Sequence, residues 1–330
     1  MRSSSILTSC AVMVVVLAGC LAPPAEAQIR RLAELSMTDI QALDRERTVV
    51  IIPAGLFEEH GPYLPAFSDG YQNEWLSVEV AEALVARSKR PVVLFPTIPL
   101  GVGSPEDFGG RRPFSGSYTV RPATLRAVFM DLASELGADG FRWIFVIHGH
   151  GSPSHNRALI EAADYFHDVY GGTMVALTAY QYVVARDRPA VWEGDDGREN
   201  AGDVHAGASE TSRILFLRPE LVHREHRSAT PQTAATDADF ARVAASQNWP
   251  GYFGSPRLAT ADAGAVLMRR SADDLSDLAL RVLDGFDSRT LPSRGDTTNE
   301  AFKVLDQNLV RRSGVLESQQ REWLQKRGLQ

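Results

Sequence analysis

The chain has 330 residues, 44% of them hydrophobic and 23% charged, with a formal net charge of -7. That composition can bury one sizeable core and excludes a chain disordered by composition. A nucleic-acid partner is excluded as well, because it needs a basic footprint and the sequence has only short local Lys/Arg pairs.

Arg2 and the apolar run over residues 6–21 read as an export leader spanning residues 1–27. The run is short and is followed at once by Pro23 and Pro24, a poor membrane span. Leu17-Ala18-Gly19-Cys20 resembles a bacterial lipobox, which would leave Cys20 lipidated at the periplasm or cell envelope. Ala25-Glu26-Ala27 resembles an ordinary signal-peptidase site, and the lipobox is the preferred of the two. Membrane contact is then expected only through a lipid on Cys20. Both cysteines, Cys10 and Cys20, lie in this leader, so the body has no thiolate for a disulfide, a metal or catalysis.

The body, residues 28–290, alternates strands and helices. Residues 48–53 and 92–98 are short, β-branched and apolar on both faces, as buried strands are. A helical spacing fills residues 71–88, and residues 101–116 are a Gly/Pro-rich loop. Pro122 opens a helix that Gly137 closes, and a strand follows over residues 143–147. Residues 156–170 form a helix closed by Gly171-Gly172, and residues 173–179 a strand. Further helical pattern covers residues 212–217 and 273–286. This alternation predicts a single three-layer α/β/α domain with a mostly parallel sheet. A polar segment, residues 291–330, carries a helical tail over residues 301–329 that packs on the body or on a neighbouring subunit.

Three stretches concentrate chemistry beyond strands, where open α/β sheets bind ligands. The first is Glu58-Glu59-His60-Gly61-Pro62 with Asp69. An extended backbone points Glu58 and His60 to one side, and Asp69 can return across the turn at residues 61–65. The second is His148-Gly149-His150-Gly151, whose glycines permit a tight turn. The third is His205-Ala206-Gly207-Ala208-Ser209-Glu210-Thr211-Ser212, where Ser209 could simply cap a helix and Glu210 favour its first turn. Taken singly, the first two read more readily as a solvated acidic loop and a surface turn than as a site, and the third as a capped helix start. Five of the eight histidines, His60, His148, His150, His155 and His205, nevertheless fall in or beside these stretches. His167, His223 and His226 read as solvated surface.

Together the stretches resemble the motifs of the creatininase (creatinine amidohydrolase) family. Glu58-Glu-His60-Gly-Pro with Asp69 is similar to its opening metal motif, Gly149-His150-Gly151 to its N-G-H-G-G-N turn, and residues 205–212 to its H-A-G-x-x-E-T-S motif. Phe114-Ser-Gly116-Ser-Tyr-Thr-Val and Tyr252-Phe-Gly-Ser-Pro256 resemble two further family segments. The resemblance implies two divalent ions, Zn²⁺ or Mn²⁺ with Fe²⁺ as a third option, a choice that oxygen and imidazole donors suit. One ion would be held by Glu58, Asp69 and His150, the other by His60, Glu210 and a bridging Asp69. The ions would lie ~3.5–4 Å apart and activate a shared water. His205 would be the acid serving the departing nitrogen or the oxyanion. His148, Ser152, Ser117 and Tyr118 are candidate substrate contacts.

The departures from the family pattern are specific. His148 replaces the Asn of the turn, and Ser152 stands where creatininases proper place a glutamate ligand, a vacancy open to water, His148 or His155. Asn200-Ala201-Gly202-Asp203 lacks their ring-stacking tryptophan, so creatinine is not the expected substrate. The expected activity is hydrolysis of a cyclic amide, a formamide or a small peptide by an exported homo-oligomer. The competing reading is an envelope-anchored protein that binds metal or ligand without turnover.

Overall fold

The computed structural model describes residues 28–110, 114–296 and 299–329; the expected leader, with its processing signals at Cys20 and Ala27, lies outside them. The elements are β1 (Ile29–Arg31), α1 (Met37–Gln41), β2 (Val49–Pro53), α2 (Ser68–Ser88), β3 (Val92–Leu94), α3 (Pro122–Ala138), β4 (Trp143–Ile147), α4 (Pro153–Tyr170) and β5 (Thr173–Ala176). After them come α5 (Gln181–Val184), α6 (Gly194–Glu199), α7 (Ala208–Leu217), α8 (Asp237–Ala245), α9 (Ala261–Leu283) and α10 (Glu300–Lys326). No described helix is long and apolar enough to cross a membrane.

The five strands pair in the order β1-β3-β2-β4-β5, all parallel. Parallel strands need helical crossovers, and helices on both faces bury the sheet, which is why β2 and β3 are apolar throughout. From β2 the chain moves to β3 on one side, then crosses back through α3 to β4 on the other. Right-handed crossovers therefore set α2 on one face and α3 with α4 on the opposite face. The packing agrees: α3 lies against α4, while α2 and α7 lie against α9. Chain direction thus diverges between the ends of β2 and β4, where Pro53 pairs with Ile147. Such a divergence opens a crevice at the carboxyl ends of the strands.

Local chemistry explains where elements begin and end. Pro153 occupies the first turn of α4, and Gly171 stops it in a left-handed conformation. The strand expected over residues 92–98 stops at Leu94, and Phe95-Pro96-Thr97 carries the chain to a single bridge between Ile98 and Ala54. The last strand stops at Ala176 and winds into a 3-10 turn, Leu177–Tyr180. Helix α9 starts at Ala261, well before the expected residue 273, because the Thr260 side chain caps it at Ala263 N–H. The tail helix is one element, and its first turns pack on the body. Ala301, Leu305 and Leu309 are buried, and Asp306 accepts from Ser154 N–H in the first turn of α4. His226 departs from the solvated expectation, since its 3-10 turn docks beside Val222 and Tyr252 and buries the ring.

One close approach fixes where α2 begins. After β2, Gly55 lies so near the first turn of that helix that a Cβ there would sit 2.5 Å from the Gly70 Cα. Gly55→Ala must push the Asp69–Gly70 turn outward. We expect a loss of ~1–3 kcal/mol in denaturant unfolding, typical of an overpacked core, together with weakened metal retention on dialysis. Unchanged stability and metal content would show that this contact has slack.

Candidate metal centre

Glu58, His60, Asp69, His150, His205 and Glu210 come from three separated stretches of chain and meet in the crevice between β2 and β4. Glu58 and His60 ride the loop after β2, which is folded by Glu58 N–H donating to Ala66 O at 2.9 Å. Asp69 lies in the first turn of α2. His150 follows β4 in a turn pinned by Asn73 of α2, whose Oδ1 accepts from Gly149 N–H at 2.9 Å and whose Nδ2 donates to Ala54 O at 2.8 Å. Ala206 adopts φ 49°, a left-handed backbone that a residue with a side chain avoids. That turn aims both His205 and Glu210 into the crevice.

The spacing of the polar atoms decides what the cluster fits. Asp69 Oδ1 is 3.6 Å from His60 Nε2, and Asp69 Oδ2 is 3.3 Å from His150 Nδ1. Glu210 Oε2 is 3.6 Å from His60 Nε2, and Glu58 Oε2 is 3.3 Å from His150 Nδ1. These gaps exceed ordinary hydrogen bonds. They match the edge of a coordination tetrahedron with ~2.0–2.2 Å bonds, which is roughly 3.3–3.6 Å. Asp69 turns one oxygen to each histidine, the disposition of a bridging carboxylate. His60 Nδ1 pairs with Glu58 O at 3.0 Å, which frees Nε2 as a lone pair towards the centre. Glu58 Oε1, His60 Nε2 and Asp69 Oδ2 are buried with no hydrogen-bond partner. The residues therefore fit divalent ions in two triads, Glu58-Asp69-His150 and His60-Asp69-Glu210.

Charge accounts for the perturbed titrations. Burial opposes protonation of His150, yet the charges and hydrogen bonds of Glu58 and Asp69 together outweigh it and lift the pKa to about 10. Burial likewise opposes the charge on His205, and Glu58 and Glu59 together prevail, raising it to about 9. Dications in the centre would reverse the sign of that field. Behind them His148 is lowered to about 3, by burial and then by the charge on His150. His155 is pushed down by burial first, then by the charges of His148 and His150.

His205 Nε2 donates to the Glu59 carbonyl at 2.7 Å, and its Nδ1 stands 3.9 Å from Glu210 Oε2. That gap is wider than the ligand edges, so the ring flanks the two triads although it also groups with Glu58 and His60. Ser152 lines the cavity over the centre. His148 and His155 do not: they pack edge-to-face at 4.2 Å behind the turn, with His155 Nδ1 accepting from Val102 N–H. Neither joins a metal-capable group, so the Ser152 vacancy is not filled by them. Ser117 is also held away from the cavity, where its Oγ accepts from Glu59 N–H. Tyr118 does not line the cavity either. Its N–H donates to Phe57 O, and the residue is 73% exposed. Ser209 is not the helix cap either; Gly207 holds that position, and Asp203 Oδ2 accepts from Ser209 N–H.

Sequence reasoning missed Asn73, Glu59 and Asp203. Asn73 lies one turn after Asp69 on the same helix face, a signal that was readable. Glu59 faces away from its two neighbours, and only tertiary structure brings His205 to it. A roomier groove of about 460 Å³ beside Tyr71 and Trp75 has no comparable donor set, since its Glu74 bonds Thr97.

The family profile of creatinine amidohydrolase matches residues 33–279. The chain belongs to the creatininase family. A mycofactocin precursor peptide peptidase of Mycobacterium ulcerans is 26% identical over 78% of this chain and 94% of its own length. Its namesake in Mycobacterium tuberculosis is 26% identical over 73% and 88%. Among solved structures, a manganese creatininase superposes with a TM-score of 0.58 at 20% identity, covering 76% of this chain and 98% of the other. A second creatininase gives 0.56 at 20% identity over 78% and 98%. These likenesses carry the family's amidohydrolase fold to this chain.

Two substitutions separate the donors. Asp69→Ala should remove both ions, read by elemental analysis of dialysed protein, because each triad uses that carboxylate. Loss of only one ion would show that Asp69 does not bridge. Asn73→Ala leaves buried backbone groups at Ala54 and Gly149 unpaired, which costs ~1–3 kcal/mol each at most. It should lower melting temperature and metal occupancy together; unchanged occupancy would mean the turn holds without it.

Proposed function

We propose that this chain is a metal-dependent hydrolase that cleaves the C–N bond of a small peptide or cyclic amide. The observation that carries the reading is Asp69, buried, with one oxygen towards His60 and the other towards His150 at ligand-edge distances. Two divalent ions, Zn²⁺ or Mn²⁺ and alternatively Fe²⁺, would supply Lewis-acid polarisation of the carbonyl and a water acidic enough to attack it near neutral pH. Glu58, His60, Asp69, His150 and Glu210 would hold them. His205 would deliver a proton from Nδ1 to the departing nitrogen, oriented by the hydrogen bond from Nε2–H to the Glu59 carbonyl. The Glu59 carboxylate, 3.6 Å from His205 Nε2, favours the charged ring that this transfer needs.

The peptide reading draws support from the relatives named as peptide peptidases. Residues 200–203 offer no tryptophan to stack a creatinine ring. We further propose export to the periplasm or envelope, with Cys20 as a lipid anchor, and assembly into a homo-oligomer.

The test is a panel of peptides, formamides and cyclic amides offered to metal-loaded protein. His205→Ala should keep both ions and lose ~10²–10⁴-fold in kcat. Undiminished turnover in that variant refutes the proton-carrying role. No hydrolysis of any member by loaded wild-type protein supports the binding-only reading instead.

A further inference from the structure

The cavity over the centre, about 290 Å³, is lined by two arginines, Arg213 and Arg294, as well as by acidic side chains. Arg213 projects from α7 one turn beyond Glu210, so it shares that residue's face. Arg294 comes from the segment between α9 and α10, past the residues that the family profile matches. Both line the same cavity as Glu58, Asp69, His150 and Glu210.

Neither arginine has a carboxylate partner among the described residues. Arg213 Nη1 donates only to the neutral Gln72 Oε1, at 3.1 Å, and its Nε is buried without a partner. Arg294 lies over the Tyr182 ring at 3.7 Å and beside Phe302 at 5.4 Å, and its Nε is also buried and unpartnered. Carboxylates are not scarce, since the chain has 41 acidic against 34 basic residues. Elsewhere arginines find them readily, as Arg188 does with Asp274 and Arg312 with Asp107. Half-buried guanidiniums denied an internal anion, one of them laid over an aromatic ring, are arranged for an external one. The planar fork of a guanidinium matches a carboxylate in two hydrogen bonds.

We propose that Arg213 and Arg294 form a carboxylate-recognition subsite, so that the substrate is an amide bearing a carboxylate distal to the scissile bond. This rests on the amidohydrolase reading for the bond that is cleaved, while the anion subsite stands on the arginines alone. Phe302 and Leu305 of α10 border the same space and suit an apolar group between amide and carboxylate. The C-terminal segment is thereby a wall of the substrate cavity, and the carboxylate belongs either to a peptide C-terminus or to an acid-substituted cyclic amide.

The experiment compares matched pairs on the full metal-loaded chain: a dipeptide against its C-terminal carboxamide, and hydantoin-5-acetic acid against its methyl ester. The acid of at least one pair should be preferred in kcat/KM by roughly tenfold or more. The preferred pair identifies which source supplies the anion. Arg213→Gln and Arg294→Gln should each cut kcat/KM for the acid ~10–100-fold and bring the acid-to-neutral ratio towards one, with Arg→Lys restoring part of it. Equal turnover of acid and neutral partner by the wild type overturns the proposal, as does an equal loss on both in the variants. Calorimetric binding of 3-phenylpropionate gives a readout independent of turnover. Binding that weakens in both Gln variants supports the subsite even if no amide is cleaved, in which case the hydrolase reading alone fails. Binding that ignores both substitutions places the anion on the metals and refutes the subsite.

Discussion

Two buried carboxylates, Glu58 and Asp69, and the part-buried Glu210 share a few ångströms with His60 and His150. Anions withdrawn from water cost several kcal/mol each unless an opposite charge replaces the lost hydration. Hydrogen bonds provide little of it: Glu210 Oε2 accepts from Ala206 N–H, but the side-chain atoms that face one another stand 3.3–3.6 Å apart, and of these His60 Nε2 and Asp69 Oδ2 are orphaned. Divalent cations satisfy both the charge and the spacing. The rest of the structure is organised to keep these groups in place before any ion arrives: Asn73 ties the His150 turn to the end of β2, and Asp203 steadies the start of α7.

The crevice exists because the sheet changes winding direction between β2 and β4. Loops leaving those two strands diverge, and α2 begins beside them through the Gly55–Gly70 contact. The centre is thus a property of topology, with Glu58 and His150 on loops leaving adjacent strands. What lies above it is more particular to this chain. Arg294, Phe302 and Leu305 come from beyond the matched family residues and complete the cavity from the C-terminal side. On the proposed reading, bond cleavage and substrate choice would reside in different residues.

Much of this is legible in residue order. The apolar runs of β2 and β4 and the Pro153 and Gly171 boundaries of α4 follow local rules, so the parallel sheet can be anticipated. The donors are identified through motifs, and their assembly around one point is geometric. Other features depend on partners distant in sequence. Nothing local to Arg294 shows that Tyr182 will lie under it, and nothing in Ser117-Tyr118 shows that Ser117 will be buried and Tyr118 exposed. His226 escapes a local reading because a polar residue in a loop is buried only when the loop itself docks. Strand β1 is three residues long with two arginines, too short for any periodicity to betray it. Helix α8 does carry a local signal, the Thr236–Asp239 capping box.

The position of the metal is decisive. Anomalous diffraction from crystals of the protein loaded with Mn²⁺ or Zn²⁺ locates each ion directly. Two peaks ~3.5–4 Å apart, one on either side of the Asp69 carboxylate, are predicted. A single peak away from Asp69, or none in the crevice at full loading, would contradict a centre bridged by that residue.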